Sequence, residues 1–195
     1  MLRSIPFIIA ALGQVGVTGQ KAETYAPILQ QEGKKHGIDP VTLIVLIDGE
    51  SKWNPGLVNS IGCIGLGQHC LQFQYGVCRQ GPTYNKAKCD AKKAPYFNGP
   101  FNLRATASSI SINRKFCNKK TNKRTKASRS QWRHWMPSYG GYNKPSQGIW
   151  CGQKRVKTKR GYRWENVPIP KRITKYMDKR KRIINALKRQ RRKKK

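Results

Sequence analysis

The side chains that could carry out acid/base chemistry are few, because only eight residues have a carboxylate. They are Glu23, Glu32, Asp39, Asp48, Glu50, Asp90, Glu165 and Asp178. Glu50 is the informative one, because the apolar residues seven, four and three positions before it would share its face on a helix. Asp48 is rotated by about 200° from Glu50 on the same helix and should face elsewhere.

The apolar neighbours of Glu50 bear on its chemistry. A carboxyl group held against apolar side chains has its ionised form disfavoured, which raises its pKa toward the range that suits a general acid. We therefore expect Glu50 to donate and accept a proton. The alternative is a buried structural glutamate bonded to the backbone, and the position on the helix alone leaves both open.

The residues around Glu50 form a longer motif. Residues 35–43 read KHGIDPVTL, residues 50–55 read ESKWNP, and residues 59–68 read NSIGCIGLGQ. This pattern resembles the soluble lytic transglycosylase domain of the lysozyme-like superfamily, whose hallmark is E-S-x-x-N-P followed by S-x-x-G-A-x-G-L-M-Q. The pairs NL at 102–103 and YN at 142–143 and the segment ITKY at 173–176 are similar to three later landmarks of that family. The resemblance covers about residues 22–184.

The resemblance implies that Glu50 is the single acid/base of a peptidoglycan lytic transglycosylase. It would protonate the glycosidic oxygen between N-acetylmuramic acid and N-acetylglucosamine, then accept the proton of the muramyl 6-hydroxyl and leave a 1,6-anhydromuramyl end. Ordinary glycosidases use two carboxylates about 5–9.5 Å apart, and no second acid follows Glu50 in the motif. If Asp90 or Glu165 folds back toward the cleft, hydrolysis by a goose-type lysozyme route becomes the better account.

The same resemblance implies substrate-binding roles for five further residues. Ser60 resembles the family's serine near the acid, and Gln68 resembles its sugar-contacting glutamine. Tyr142 resembles the aromatic residue beside the acid, Asn143 the polar residue of the same motif, and Tyr176 the tyrosine of the last helix that closes the site. Each has a plain alternative, since Ser60 and Asn143 could form turns and the two tyrosines could pack in the core.

Several positions depart from the family pattern. Cys63 stands where alanine is usual, and Gly67 replaces a methionine expected to line the cleft. Lysine and proline at 144–145 follow the tyrosine motif where the family prefers Ala-Gly. Gly62 and Gly65 are expected to permit a tight loop whose backbone amides approach a sugar.

The charge of the chain selects anionic partners. Against 8 acidic residues stand 41 Lys and Arg, which give a net charge of +33, and such a field attracts nucleic acids and anionic envelopes alike. With the resemblance, we expect binding to peptidoglycan glycan strands, and to anionic cell-wall polymers or a membrane surface through the basic tail. Nucleic acid would bind only non-specifically. We expect a monomer with no cofactor and no metal.

Two other classes of protein remain as alternatives. A basic nucleic-acid-binding protein could use the tail together with stacking Trp and Tyr side chains. A catalytically silent relative could bind sugar without cleaving it. The motif around Glu50 separates the first alternative from an enzyme, because nucleic-acid binding does not require it.

The six cysteines and the N-terminus indicate export. An even number of cysteines suggests up to three disulfides, and their spacing contains no close pair of the kind that structural zinc sites use. Residues 1–19 combine an early arginine with an apolar run over 5–12, which is typical of a signal peptide. The protein would then be periplasmic or extracellular, or phage-delivered to the host envelope. The alternative for residues 1–19 is a helix docked on the core.

The remaining patterns predict the architecture. We expect a mainly α chain of the α+β lysozyme-like class, with a helical domain over 20–187, a substrate cleft and a loop-rich, disulfide-tied lobe. Helices are predicted over 21–36, 40–52, 102–116 and 171–187, with Gly37 ending the first and Asp39 capping the second. The segments 118–133 and 150–170 are predicted to be a solvated loop and irregular chain, and 188–195 a basic disordered tail.

Overall fold

The computed structural model describes residues 3–120, 136, 139–140, 143–147, 149–159, 161–168 and 170–193. The described chain is mainly helical, which confirms the expectation of a mainly α chain. Its helices are α1 (Ile5–Gly13), α2 (Gly19–His36), α3 (Pro40–Ser51), α4 (Lys86–Lys93), α5 (Gly99–Lys120) and α6 (Lys171–Lys193). The strands are β1 (Ile149–Trp150), β2 (Gln153–Thr158) and β3 (Gly161–Asn166). The chain divides into two compact units, a larger one of Met1–Ala107 with Arg180–Lys195 and a smaller one of Ser108–Lys179.

The N-terminal segment forms a packed helix. Helix α1 contacts both α2 and α3, and its Ile8, Ala11 and Leu12 side chains are fully buried. The apolar run over 5–12 therefore acts here as one side of the core of the larger unit. Cleavage of residues 1–19 stays a prediction. Among the described residues, no helix is both long enough and apolar enough to span a membrane.

Helices α2 and α3 form as their end signals predict. Gly37 follows α2 in the left-handed conformation (φ 61°), where an L side chain would be strained. Asp39 then caps α3, with its Oδ1 atom accepting a hydrogen bond from the Val41 backbone N–H at 3.1 Å, and Pro40 occupies the first turn. Both predicted boundaries are confirmed to within about two residues.

Two arginines hold the start of α3. The Asp39 Oδ2 atom lies 3.3 Å from Nη2 of Arg3 and 2.7 Å from Nη2 of Arg180. Arg180 also donates from Nε to the Thr42 hydroxyl at 3.0 Å. The capping carboxylate of α3 is therefore shared between the segment before α1 and the middle of α6.

The middle of the larger unit is a loop-rich region tied by two disulfides, Cys63–Cys70 and Cys78–Cys89. Cys78 and Cys89 take part in a small apolar cluster, whose other members are Ile64, Leu71 and Tyr96. With Cys117–Cys151 in the smaller unit, all six cysteines are paired, which confirms the prediction of three disulfides. Three disulfides indicate an oxidising environment.

The smaller unit contains an antiparallel sheet of order β1-β2-β3. The prediction of irregular chain over 150–170 was wrong. Val156 and Thr158 favour a strand, but the lysines and arginine around them leave no clear alternation of apolar and polar residues. Long cationic side chains are tolerated there because most of the β2–β3 hairpin surface is exposed.

Two helix ends also differ from expectation. Helix α5 extends through 118–120, which had been assigned to a solvated loop, and residues 121–133 of that loop lie outside the described chain. Helix α6 continues to Lys193 instead of ending at 187, so 188–193 are helical where a disordered tail was expected. Lysine, arginine and glutamine are good helix formers, and the buried Leu187 anchors the preceding turn.

Candidate active site

Glu50 lies in the last turn of α3 and is half-buried. Almost all the rest of this helix is buried, and the Ser51 hydroxyl donates to the Ile47 carbonyl at 3.2 Å. Directly after the helix, Lys52 (φ 53°) and Trp53 (φ 61°) are both left-handed, so the chain turns sharply. Glu50 is therefore a partly accessible acid at the end of an otherwise buried helix.

The neighbouring Asp48 was expected to face away from the apolar stripe that carries Glu50. The structure shows that its side of the helix is buried as well, because every α3 residue from Pro40 to Asp48 is buried. Asp48 is only 4% exposed, and its Oδ2 atom lies 3.2 Å from Nζ of Lys52. Asp48 is thus the more buried of the two acids, and an ion pair to the next turn compensates its charge.

The turn that follows α3 folds back on itself. The Gly65 N–H donates to the Leu57 carbonyl at 2.9 Å, and Ile64 forms antiparallel bridges with both Val58 and His69. The Cys63–Cys70 disulfide closes the outer part of this turn. Residues 57–70, which we call the motif turn, are thus fixed by backbone hydrogen bonds and one covalent link.

Asn102, near the start of α5, anchors the motif turn from below. Its side chain is fully buried; Oδ1 accepts from the Gly67 N–H at 2.9 Å, and Nδ2 donates to the Tyr96 carbonyl at 2.8 Å. Gly65 is left-handed (φ +72°), and a Cβ atom added there would collide with Nδ2 of Asn102. The close approach that requires glycine at 65 is therefore to Asn102.

His69 is a polar residue of this region that sequence reasoning missed. Its Nε2 atom lies 3.1 Å from the Thr106 hydroxyl, and its ring centroid lies 4.9 Å from that of Tyr96. Burial lowers the pKa of His69 to about 4 against a weaker opposing effect of a hydrogen bond to the Asn102 backbone. The imidazole is therefore neutral at pH 7. In the sequence, only the position of His69 directly after the motif glutamine indicated that it belongs to this buried region.

The Thr106 hydroxyl contacts both His69 and the Asn102 carbonyl. Its Oγ1 atom lies 3.1 Å from Nε2 of His69 and 2.8 Å from the Asn102 carbonyl oxygen. The buried groups His69, Thr106 and Asn102 form one connected hydrogen-bond network beneath the motif turn.

Gln68 is half-buried and has a left-handed backbone (φ 51°). Its amide nitrogen Nε2 donates to the Gly65 carbonyl at 2.9 Å and to the Leu57 carbonyl at 3.2 Å. Both amide hydrogens thus hold the motif turn together. The Oε1 carbonyl is the part of the side chain that could accept a hydrogen bond from a sugar hydroxyl.

Ser60 is exposed, and its neighbour Asn59 makes the structural contacts. The Asn59 Oδ1 atom accepts from the backbone N–H groups of Ile61 and Cys63, both at 3.0 Å. Asn59 also stands three positions before Gly62, which is the spacing of the serine in the family hallmark. That spacing was the signal by which Asn59 could have been chosen instead of Ser60.

The other predicted site residues belong to the smaller unit. The Asn143 Oδ1 atom accepts from the Cys151 N–H at 2.9 Å, beside the Cys117–Cys151 disulfide. Tyr176 is buried on α6, with the Arg172 guanidinium 5.8 Å from its ring centroid. Tyr142 lies outside the described residues. The placement of these three residues beside Glu50 stays a prediction.

The two acids named as possible second carboxylates form ion pairs with nearby cations. Asp90 on α4 accepts from Nζ of Lys86 at 2.6 Å, and this hydrogen bond is the main cause that lowers the pKa of Asp90. Glu165 on β3 accepts from Nε of Arg163 at 2.7 Å. Asp90 is therefore held in its charged form by a neighbouring cation, and Glu165 is engaged by an arginine of its own strand.

Comparison with known proteins gives no assignment. No family model matches the chain, and no curated protein matches it.

Proposed function

We propose that this protein is a peptidoglycan lytic transglycosylase of the lysozyme-like class, with Glu50 as its general acid/base. The observation that carries the proposal is the place of Glu50, half-buried at the end of the buried helix α3. The motif turn that follows is held by the buried Asn102, and Gln68 keeps a carbonyl available to a ligand. An acid at the end of a buried helix, followed along the chain by a hydrogen-bonded polar turn, supports acid catalysis on a bound sugar.

The proposed reaction needs only one carboxyl group. Glu50 gives its proton to the glycosidic oxygen as the bond from that oxygen to the muramyl anomeric carbon breaks. The 6-hydroxyl oxygen of the same muramyl residue then bonds to the anomeric carbon, and its proton returns to Glu50. No water is consumed, and the products are a free N-acetylglucosamine 4-hydroxyl and a 1,6-anhydromuramyl end.

Hydrolysis of the same bond is the second candidate reaction. It needs a base that activates water, or a second carboxylate that acts as nucleophile. The ion pair that lowers the pKa of Asp90 favours the single-acid route, because a carboxylate paired with a lysine is a weaker base. The products of the reaction distinguish the two routes.

The disulfides and the charge support the proposed setting. Disulfides persist in secreted, periplasmic and cell-surface proteins, and a net charge of +33 attracts anionic cell-wall polymers. We propose that the protein acts as a monomer outside the cytoplasm, or is delivered by a phage to the host envelope. On this view nucleic acid binds it only through non-specific charge.

The test replaces Glu50 with glutamine and compares it with Asp48→Asn. Loss of the proton donor should lower turnover on purified peptidoglycan by about 10²–10⁴-fold while binding is retained. The Asp48→Asn protein, with the same type of change two residues earlier, should stay active at temperatures where it is folded. Turnover and products are measured by mass spectrometry of released muropeptides.

Each result of this experiment has a definite meaning. Anhydromuropeptides from the wild type and none from Glu50→Gln support the proposal. Muropeptides with reducing ends identify a hydrolase, and an unimpaired Glu50→Gln protein refutes the role of Glu50. No products from the wild type would support a catalytically silent relative.

A further inference from the structure

The β2–β3 hairpin of the smaller unit has two chemically different faces. In its register, Arg155 pairs with Trp164 and Lys157 with Tyr162. Because side chains alternate along a strand and paired residues share a face, these four lie together on one side. We call this side, defined by Arg155, Lys157, Tyr162 and Trp164, the aromatic-cation face.

The aromatic-cation face presents an accessible ring flanked by cations. The Arg155 guanidinium lies 4.1 Å from the centroid of the Tyr162 ring, yet Tyr162 remains 60% exposed. The guanidinium therefore covers one side of the ring and leaves the rest open to solvent. Arg155 and Lys157 are both exposed, and neither forms an ion pair within the described part of the chain.

The opposite face of the hairpin has no such arrangement. Arg163 is paired with Glu165, and Lys154 stands directly across from Glu165 in the register. The remaining members of that side, Val156 and Thr158, are half-buried. Uncompensated charge and an exposed ring therefore coincide on one face of the hairpin only.

We propose that the aromatic-cation face binds a carboxylate-bearing polysaccharide, namely the peptidoglycan strand. The apolar C–H face of a pyranose ring can stack on the open part of Tyr162. Arg155 and Lys157 can pair with the carboxylates of the peptide stems. The choice of peptidoglycan rests on the proposed function. A single-stranded nucleic acid is the less suitable ligand, because it binds by stacking successive bases on several rings and this face has one highly exposed ring.

The test measures binding of the full chain to purified peptidoglycan sacculi stripped of teichoic acid. A Glu50→Gln background keeps the polymer intact, and the salt concentration is held near 0.15 M because exposed charges are screened. Tyr162→Ala and the pair Arg155→Gln/Lys157→Gln should each raise the dissociation constant about tenfold, which is the effect of losing one stacking or charge-assisted contact. Circular dichroism confirms that each variant is folded.

The matched control is the pair Lys154→Gln/Arg163→Gln on the opposite face. It removes the same number of positive charges from the same hairpin, and it should change the dissociation constant by less than about twofold. Equal weakening by both pairs would mean that bulk charge alone is responsible and would overturn the proposal. An unchanged dissociation constant for Tyr162→Ala would overturn it as well.

Two further ligands separate other partners from peptidoglycan. The same variants are tested on a single-stranded oligonucleotide and on vesicles of anionic lipid. If Tyr162→Ala weakens either of these and leaves sacculus binding unchanged, the face serves another partner and the proposal fails.

The failure of this proposal can be told apart from that of the proposed function. Muropeptide release by a wild type whose sacculus binding does not depend on Tyr162 would refute the binding face and leave the enzyme standing. Sacculus binding that depends on Tyr162, without any muropeptide release, would refute the proposed enzyme activity and support the binding face.

Discussion

Replacing Asn102 with alanine should be one of the most damaging polar substitutions in the larger unit. The side chain is fully buried and serves the Gly67 N–H at 2.9 Å and the Tyr96 carbonyl at 2.8 Å. Alanine leaves both backbone groups without their partner in a buried place. Since each such loss costs about 1–3 kcal/mol, the free energy of unfolding should fall by about 2–6 kcal/mol.

Asn98 provides the matched control at the start of the same helix. Its Oδ1 atom accepts from the Phe101 N–H at 2.9 Å in an exposed position, so Asn98→Ala should cost about 1 kcal/mol, as for a lost helix cap. Both variants are unfolded in denaturant with the disulfides intact, and hydrogen exchange is followed at the Gly67 amide. If Asn102→Ala costs no more than Asn98→Ala, and the Gly67 amide keeps its protection, Asn102 does not anchor the motif turn.

Two further substitutions test the same region. His69 has a pKa of about 4 in the folded protein and 6.5 as its ordinary value. As the pH falls, His69 is therefore protonated in the unfolded chain before it is protonated in the folded protein. The contribution of His69 to the free energy of unfolding should fall by up to about 3 kcal/mol between pH 6.5 and pH 4. His69→Gln should remove this part of the slope in denaturant titrations at several pH values, and a pH-independent difference from wild type would contradict the reasoning. Gly65→Ala should lower the melting temperature clearly more than Gly62→Ala, because both glycines have positive φ but only a Cβ at 65 meets Asn102; similar losses would remove the steric argument.

The sequence predicted best where one local signal determines the structure. Gly37 and the Asp39-Pro40 pair mark a helix end and a helix start through their own backbone preferences, and the structure places both there. The even number of cysteines predicted three disulfides, although it could not identify the pairs. Glu50 was placed correctly near the end of the helix that is α3 in the structure. The burial of Asp48 on the same helix was not predicted, because α3 is buried on all sides and has no single apolar stripe.

The sequence predicted poorly where tertiary contacts decide the outcome. The network of His69, Thr106 and Asn102 joins positions more than 30 residues apart, so no local pattern announces it. The β2–β3 hairpin was missed because lysines and arginines occupy positions on both faces of β2, so the strand shows no clear alternation of apolar and polar residues. The hydrogen bonds from the Ile61 and Cys63 amides to Asn59 were likewise not predicted, and the role of Ser60 stays a prediction.

The shared carboxylate of Asp39 has a mechanical consequence. Arg3 and Arg180 meet on one oxygen atom, so the beginning of the described chain and the middle of its last helix are fastened to the same residue. Tension applied between these two segments would act first on a contact of a few ångströms and only later on the long stretch of backbone that connects them. The end of the helix that carries Glu50 lies about 16 Å further along its axis, so an early rupture at Asp39 would leave the proposed acid in place.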